Sequence, residues 1–146
     1  MLTQLNKRSR RALLCIFAAL LLPAALLSSE NEVTLRGRLD PQSVQASASA
    51  NQPLSFLATE GKKYEVAGDS VSNAQLRDPL LIERDWELVG SMRPDGRFGI
   101  VKLFTIKDGK RFRVTYYCEI CHIVTHEPGL CMCCQGPTEL QEIPAQ

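Results

Sequence analysis

Five cysteines lie close together near the end of the chain, between residues 118 and 134. Four of them form two C-x-x-C pairs, Cys118/Cys121 and Cys131/Cys134, separated by nine residues. Each pair can bend into a turn that offers two thiolates to one tetrahedral ion, and two such pairs are a much stronger signal than one. The spacing therefore predicts a metal site with four sulfur ligands. Zinc is the default ion because it accepts a closed shell of four thiolates.

Three other side chains in the same segment are alternative ligands. Cys133 is a fifth thiol that could replace Cys134 or attack a neighbouring disulfide. His122 and His126 could join the metal shell, but four cysteines already complete it, so we expect both histidines outside it. Pro128-Gly129 supplies a reversal of the chain that would bring the second cysteine pair over the first.

Two further interpretations of these cysteines stay open. Cys118-x-x-Cys121-His122 is also the attachment motif of c-type haem, in which two thioethers hold the porphyrin and the histidine binds iron. Only 24 residues follow His122, which are too few to wrap a haem by themselves. The thiols could instead form disulfides or act in redox or electron transfer, since an oxidising compartment favours such chemistry. Five cysteines cannot all pair, however, whereas four ligands and one spare thiol account for the odd number.

The tail also resembles the small heavy-metal-binding ribbon of bacterial metal-transport proteins. The resemblance covers about thirty residues and rests on Tyr117-Cys118-x-x-Cys121-His122 and Pro128-Gly129-x-Cys131-x-x-Cys134. Glu119-Ile120 stands where that family has Pro-Met, and Gln135-Gly136 stands where it has Gly-Met. The resemblance implies a ribbon that binds metal through the two cysteine pairs. Metal delivery or sensing is the third function that it makes possible.

The start of the chain has the composition of an export signal. A basic stretch is followed by an apolar run over residues 12–27, and its basic residues are Lys7, Arg8, Arg10 and Arg11. We interpret residues 1–29 as a signal peptide or a signal anchor, with cleavage favoured because the run is shorter than a membrane span. The protein is then exported, and is either periplasmic or anchored at the outer face of the inner membrane. An uncleaved anchor is the only membrane contact that we expect.

The remaining charge argues against one class of partner. After residue 29 the chain carries 13 basic and 16 acidic side chains, a net charge of −3. We therefore expect no nucleic-acid partner, because neutralising phosphates requires a surplus of lysine and arginine. An unknown protein or a small ligand remains.

The cysteines follow a segment rich in predicted strands. Alternating apolar and polar residues, bounded by turn residues, predict strands at 33–39, 54–58, 63–67, 85–92, 98–106 and 111–116. Residues 41–53 are small and polar, so we predict an exposed loop there. One short helix is predicted before Pro79, with Ser72 as its cap because Gln75 lies three residues later. Trp86 lies on an alternating strand, which predicts a core position rather than a ligand-stacking platform.

The order of these elements predicts an all-β protein. Strand, hairpin, short helix and hairpin is the order of a five-stranded oligonucleotide/oligosaccharide-binding (OB) barrel. Gly37-Arg38-Leu39, Glu60-Gly61-Lys62-x-Tyr64 and Glu87-Leu88-Val89-Gly90-Ser91 resemble segments of exported bacterial OB-fold domains. We predict a small OB-like barrel over residues 30–112 and a zinc-ribbon-like, cysteine-rich tail over residues 113–146.

The sequence also bears on catalysis. We find no Ser-His-Asp order, phosphate loop or pair of carboxylates with catalytic spacing. We therefore expect no enzyme, but an exported binding or scaffold protein with a structural metal.

Overall fold

The computed structural model describes residues 32–46 and 52–145 of the chain. The predicted signal segment, residues 1–29, lies outside the described residues. Within them the elements follow in this order: β1 Val33–Leu39, α1 Pro41–Ala46, β2 Leu54–Ala58, β3 Lys63–Ala67, α2 Ser70–Leu76, β4 Asp85–Met92, β5 Phe98–Lys107, β6 Lys110–Cys118, β7 Ile123–Thr125 and β8 Glu139–Pro144. The prediction of an all-β chain is confirmed, because strands predominate and both helices are short. No helix in the described ranges is long and apolar enough to cross a membrane.

One sheet contains all eight described strands. Its order is β3-β2-β1-β4-β5-β6-β7. Strand β8 pairs with β6 along the edge opposite β5 and β7. β3 also pairs in parallel with β5, through Val66↔Phe98 and Ala67↔Gly99. The strands predicted at 33–39, 54–58, 63–67 and 85–92 are confirmed at those bounds, since each combines alternating residues with a clear turn on at least one side.

The largest side chains of β1 to β5 form the core. Trp86, Phe56 and Phe98 are completely buried, and the prediction that Trp86 packs in the core is confirmed. Leu54 and Leu88 contribute from the same faces of their strands. This region therefore holds itself together by removing apolar surface from water, at about 25 cal/mol for each Å² buried.

Two local predictions were wrong. Residues 41–46 form α1 instead of loop, because Pro41 suits the first helical position and the Asp40 carboxylate accepts a hydrogen bond of 3.0 Å from Gln42 N. None of the α1 side chains is buried, so its sequence carries no apolar pattern. The cap of α2 is Asp69 and not Ser72: its carboxylate accepts a hydrogen bond of 2.8 Å from Ser72 N.

Strand β6 connects the core to the cysteine segment. Its first residues pair with β5 up to Thr105↔Phe112, and its later residues pair with β8 from Phe112↔Pro144 to Tyr117↔Glu139. The domain boundary expected between residues 112 and 113 thus falls inside one continuous strand. Cys118 is the last residue of that strand, so its position is set directly by the sheet.

A buried carboxylate on β8 attaches this last strand to the rest of the sheet. The side chain of Glu142 is only 7% exposed and is paired with Lys107 and, at 3.3 Å, with Arg84. The hydroxyl of Thr105 donates a hydrogen bond of 2.6 Å to its other oxygen. The chain after the cysteines is therefore fixed to β5 by the Glu142 side chain and to β6 by backbone pairing.

Candidate metal centre

The first cysteine pair lies in the hairpin between β6 and β7. Cys118 ends β6, opposite Ile123 of β7, and Cys121 lies in the turn between them. The backbone N–H of His122 donates a hydrogen bond of 2.8 Å to the carbonyl of Cys118, which closes the turn. His122 itself has a φ of 54°, the left-handed conformation that allows the chain to reverse after the second cysteine.

The second pair repeats this local geometry thirteen positions later. The backbone N–H of Gln135 donates a hydrogen bond of 2.9 Å to the carbonyl of Cys131, and Gln135 has a φ of 58°. The carbonyl of Gly136 accepts a hydrogen bond of 2.8 Å from Cys131 N, next to the bridge between Leu130 and Pro137. Two separate segments thus form matching turns, each of which aims two sulfurs in one direction.

The two turns bring four sulfurs together. The Sγ atoms of Cys118, Cys121, Cys131 and Cys134 all lie within 4.8 Å of one another. Cys118 Sγ and Cys134 Sγ, from different pairs, are 3.5 Å apart. In a tetrahedral zinc site with Zn–S bonds of about 2.3 Å, sulfurs are separated by about 3.8 Å. The cluster could therefore hold one metal ion with little movement of the side chains.

The four sulfurs differ in their access to water. Cys118 and Cys131, the first members of the two pairs, are completely buried. Cys121 is half-buried and Cys134 is exposed. The cluster therefore has an inner face made by the first cysteine of each pair and an outer face made by the second.

Local hydrogen bonds make the thiols unequal as acids. The backbone N–H groups of Cys134 and Cys133 lower the pKa of Cys131 to about 7, because they stabilise its thiolate. The pKa of Cys121 is raised, first by its hydrogen bond with the Cys133 thiol and then by the one with Cys134 and by burial. One thiol of the cluster is therefore ready to ionise near neutral pH, while another holds its proton.

The pKa of Cys118 is also raised. A hydrogen bond from the backbone N–H of Cys121 is its largest influence and lowers the pKa, but burial and the thiols of Cys134 and Cys131 outweigh it. Negative charge cannot accumulate on four adjacent sulfurs unless a cation neutralises it. Metal binding at this cluster must therefore release protons.

The alternative ligands do not join the cluster. Cys133 is exposed and lies outside the group of four sulfurs. The imidazole Nδ1 of His122 is 2.6 Å from the hydroxyl of Tyr117. His126 is exposed, and its backbone carbonyl accepts a hydrogen bond of 2.6 Å from Gln75 Nε2.

Sequence reasoning missed several residues that support the site. Gly136 donates a hydrogen bond to Cys134 Sγ at 3.4 Å, and a Cβ atom at this position would lie 3.3 Å from that sulfur. The Gln75 side chain of α2 donates hydrogen bonds to the backbone carbonyls of Val114 in β6 and of His126 just after β7. Nothing in the local sequence indicates these contacts. Strands β7 and β8 were also missed, because β7 has only three residues and β8 has no regular alternation of apolar and polar residues.

A separate cavity lies where β5 and β6 diverge beyond Thr105↔Phe112. Its volume is about 280 Å³, and its walls include Phe104 of β5, Val114 of β6 and Val71 of α2. Arg113 and Lys102 bring positive charge to this otherwise mainly apolar space. The cavity does not touch the four cysteine sulfurs, so it is distinct from the candidate metal centre.

Comparison with known proteins assigns no family to the chain. No protein-family model matches it, and neither a curated protein nor a solved structure is significantly similar to it.

Proposed function

We propose that this protein is an exported, non-catalytic binding or scaffold protein that holds one structural zinc ion in its tail. The ligands are Cys118, Cys121, Cys131 and Cys134. The observation that carries the proposal is the convergence of these four sulfurs to within 4.8 Å of one another. Four thiolates complete a tetrahedral shell and leave no open position for a substrate, which is typical of structural zinc and not of catalytic zinc.

The surroundings of the cluster support a structural role for the ion. Ile120, Leu130 and Met132 are 72%, 65% and 81% exposed, so the cysteine segment buries little apolar surface around itself. A metal ion offsets the missing core, because its binding free energy becomes folding free energy in small metal-stabilised segments. In this proposal zinc fixes the β6–β7 hairpin to the chain that leads into β8.

The strand pairing supports an OB-like barrel as the scaffold. β1 pairs with β2 and β4, and β3 pairs with β2 and β5. Because β4 also pairs with β5, the order β1-β2-β3-β5-β4-β1 returns to its starting strand. Helix α2 lies in the connection between β3 and β4, which fits a five-stranded OB topology.

Other parts of the chain support export and binding. The basic stretch and apolar run of residues 1–29 support export to the periplasm or anchoring at the outer face of the membrane. The net charge of −3 after residue 29 supports a protein or small-molecule partner over nucleic acid. The mainly apolar cavity between β5 and β6 is the place for such a small ligand.

A haem or a redox pair fits these residues less well. A thioether at Cys118 requires an accessible sulfur, but this residue is completely buried and its Sγ is 3.5 Å from Cys134 Sγ. Attaching a porphyrin would therefore require the second cysteine pair to move away. A redox pair uses two sulfurs, and that leaves the convergence of four unexplained.

Elemental analysis together with an absorption spectrum tests this proposal. The full-length protein is purified from the native compartment without added metal. We expect about one zinc per chain and no band in the visible range. A Soret band with covalently bound iron would make the protein a cytochrome. Neither metal nor haem, with cysteines that react rapidly with alkylating agents, would favour redox chemistry.

Two neighbouring cysteines provide a matched pair of variants for the same measurement. Cys131→Ser removes a buried member of the cluster, whereas Cys133→Ser removes a thiol that lies outside it. We expect the first variant to lose the zinc and the second to retain it. Equal loss from both variants would contradict the ligand set proposed here.

A further inference from the structure

We propose that the cavity between β5 and β6 binds a small carboxylate with an apolar body, and that Arg113 recognises the charge of this ligand. This inference rests on the binding function proposed above and names the chemical class of the ligand. Three features of the described residues carry it: the gap in the sheet that forms the cavity, the apolar walls, and an arginine that has no partner.

The cavity exists because β6 changes its neighbour along one edge. β6 pairs with β5 up to Phe112 and with β7 only from Tyr116 onwards, so residues 113–115 face no strand on this edge. The buried side chain of Gln75 in α2 reaches this gap and donates hydrogen bonds of 3.3 Å and 2.6 Å to the carbonyls of Val114 and His126. This wall of the cavity is therefore fixed before a ligand binds, which lowers the entropic cost of binding.

The walls of the cavity require a short apolar body. Val71, Leu103, Phe104 and Val114 line most of the space, and moving hydrocarbon from water onto such walls is favourable. The volume of about 280 Å³ equals that of about nine water molecules, at about 30 Å³ each. A ligand with a similar number of nonhydrogen atoms therefore fills the cavity.

The charges around the cavity favour an anion. Lys102 and Arg113 line it, whereas none of the described residues that line it is an aspartate or a glutamate. The chain after residue 29 has a net charge of −3, so this is a local positive region on a negatively charged protein. A cleft lined by charges of one sign attracts ions of the opposite sign. Lys102 already lies 3.6 Å from the Glu32 carboxylate, which leaves Arg113 as the cation for a ligand.

Arg113 differs from the other arginines in having no partner. Every other arginine within residues 32–46 and 52–145 forms a hydrogen bond or an ion pair, whereas Arg113 forms none with a described residue. Arg111, two residues earlier on β6, lies 2.8 Å from the buried Glu87 carboxylate. A guanidinium offers paired N–H donors that match the two oxygens of a carboxylate. One free cation also matches the single charge of a carboxylate better than the nearly double charge of a phosphate.

A second cavity indicates how the ligand would lie. Arg113 and Phe104 also line a space of about 400 Å³, together with Pro144 and Ala145. Its walls are more polar than those of the first cavity, so Arg113 lies at the junction of an apolar space and a polar one. The ligand would place its apolar body in the first cavity and its carboxylate at this junction, where the carboxylate meets the guanidinium and keeps contact with water.

Isothermal titration calorimetry on the zinc-loaded, full-length protein is the first test. The probes are octanoate and phenylacetate, which fit the volume and carry a linear and an aromatic body, and 1-octanol and octylammonium, which lack the negative charge. We expect at least one carboxylate to bind at about one molecule per chain, and at least about tenfold more tightly than the alcohol or the ammonium ion. The preferred carboxylate shows whether the body is a chain or a ring.

Two charge variants on the same strand test the role of Arg113. Arg113→Gln removes the free guanidinium, and Lys110→Gln removes an exposed charge of β6 that lines neither cavity. We expect Arg113→Gln to weaken carboxylate binding at least about tenfold, and Lys110→Gln to bind as the wild type does. Both variants should keep their zinc content and the fluorescence of buried Trp86, so weaker binding would not reflect misfolding.

The outcomes separate this inference from the functions on which it rests. Carboxylate binding by Arg113→Gln with the wild-type affinity overturns the recognition role. Preferential binding of octanol or octylammonium overturns the carboxylate class but leaves a binding role for the cavity. If the wild type binds none of the four probes, the ligand inference is wrong, and a zinc content of about one per chain in the same sample leaves the metal centre standing.

Discussion

The β1–β5 region and the cysteine segment of residues 118–138 use their apolar side chains in opposite ways. In the first, Trp86, Phe56 and Phe98 are completely buried. In the second, Met132 and Ile120 are exposed, and the only completely buried side chains are the two inner cysteines, Cys118 and Cys131. The first region can therefore fold by hydrophobic burial, whereas in our proposal the second is held together by bonds to a common metal ion. The difference teaches that a single sheet can carry two regions with separate sources of stability.

Removing the metal should have the largest effect, and only on one side of this comparison. Structural zinc sites contribute on the order of 10 kcal/mol to folding, so a strong chelator should unfold the cysteine segment. Trp86 is the only tryptophan of the chain, and its fluorescence should keep the emission of a buried side chain. Amide hydrogen exchange should accelerate in residues 118–138 and remain slow in β2 and β4. A red shift of Trp86 on metal removal would mean that the two regions fold as one unit.

Truncating a core side chain should have the opposite effect: it should destabilise the core and leave the zinc content unchanged. Leu54→Ala removes a buried side chain of β2 and should lower the free energy of unfolding by about 2–5 kcal/mol. Leu57→Ala alters the same strand at a side chain that is 51% exposed and should change it by less than about 0.5 kcal/mol. Urea unfolding followed by Trp86 fluorescence measures both. Zinc content should stay at the wild-type value in both variants, and its loss in Leu54→Ala would contradict independent stability.

The link between the regions is tested at Glu142, because this carboxylate joins β8 to β5. Glu142→Gln should reduce the free energy of unfolding at pH 7 by about 1–2 kcal/mol, since it removes the charge that Lys107 and Arg84 face, and the partial exposure of these two side chains weakens the pairs. Glu139→Gln changes an exposed carboxylate of the same strand and should have little effect. Urea titrations with and without zinc measure the difference.

The pH dependence of this link follows from the pKa of Glu142. Burial raises this pKa, but the hydrogen bonds from Lys107 and Thr105 and the charges of Arg84 and Lys107 outweigh it, so the pKa is lowered. A carboxyl group with a lowered pKa in the folded state stabilises the protein above its unfolded pKa of about 4.3, and this stability is lost as the pH falls below that value. Wild type and Glu142→Gln should therefore differ most near pH 7 and converge in acid. A difference that grows as the pH falls would contradict the ion pairs.

The smallest expected effect is a gain in the stability of the cysteine segment. Gln135 has a φ of 58°, so Gln135→Gly should relieve backbone strain and stabilise the metal-bound turn by up to about 1 kcal/mol. That corresponds to about fivefold in zinc affinity, measured by competition with a chelator. Gln135→Ala keeps the Cβ atom and should give no gain. Equal affinities for the glycine and alanine variants would contradict this source of strain.

The features that sequence predicted well are local along the chain. Strands β2 and β3 combine alternating residues with the Glu60-Gly61 turn, and both were predicted at their observed bounds. The two cysteine pairs also depend only on spacing. By contrast, α1 buries no side chain, so it has no apolar period to detect. The cap of α2 was placed at Ser72 because Ser72 and Gln75 have the spacing of a capping box, whereas Asp69 supplies the hydrogen bond.

The amino-acid sequence by itself determined the strands of the core and the four cysteines that converge, because alternation, turn residues and C-x-x-C spacing act over a few neighbouring residues. The tertiary structure alone decided which sulfurs are buried, and that β6 is shared by the core and the cysteine segment. It also decided that Glu142 pairs with Lys107 and Arg84. These features depend on contacts between residues that are far apart along the chain, and such contacts exist only once the strands have paired.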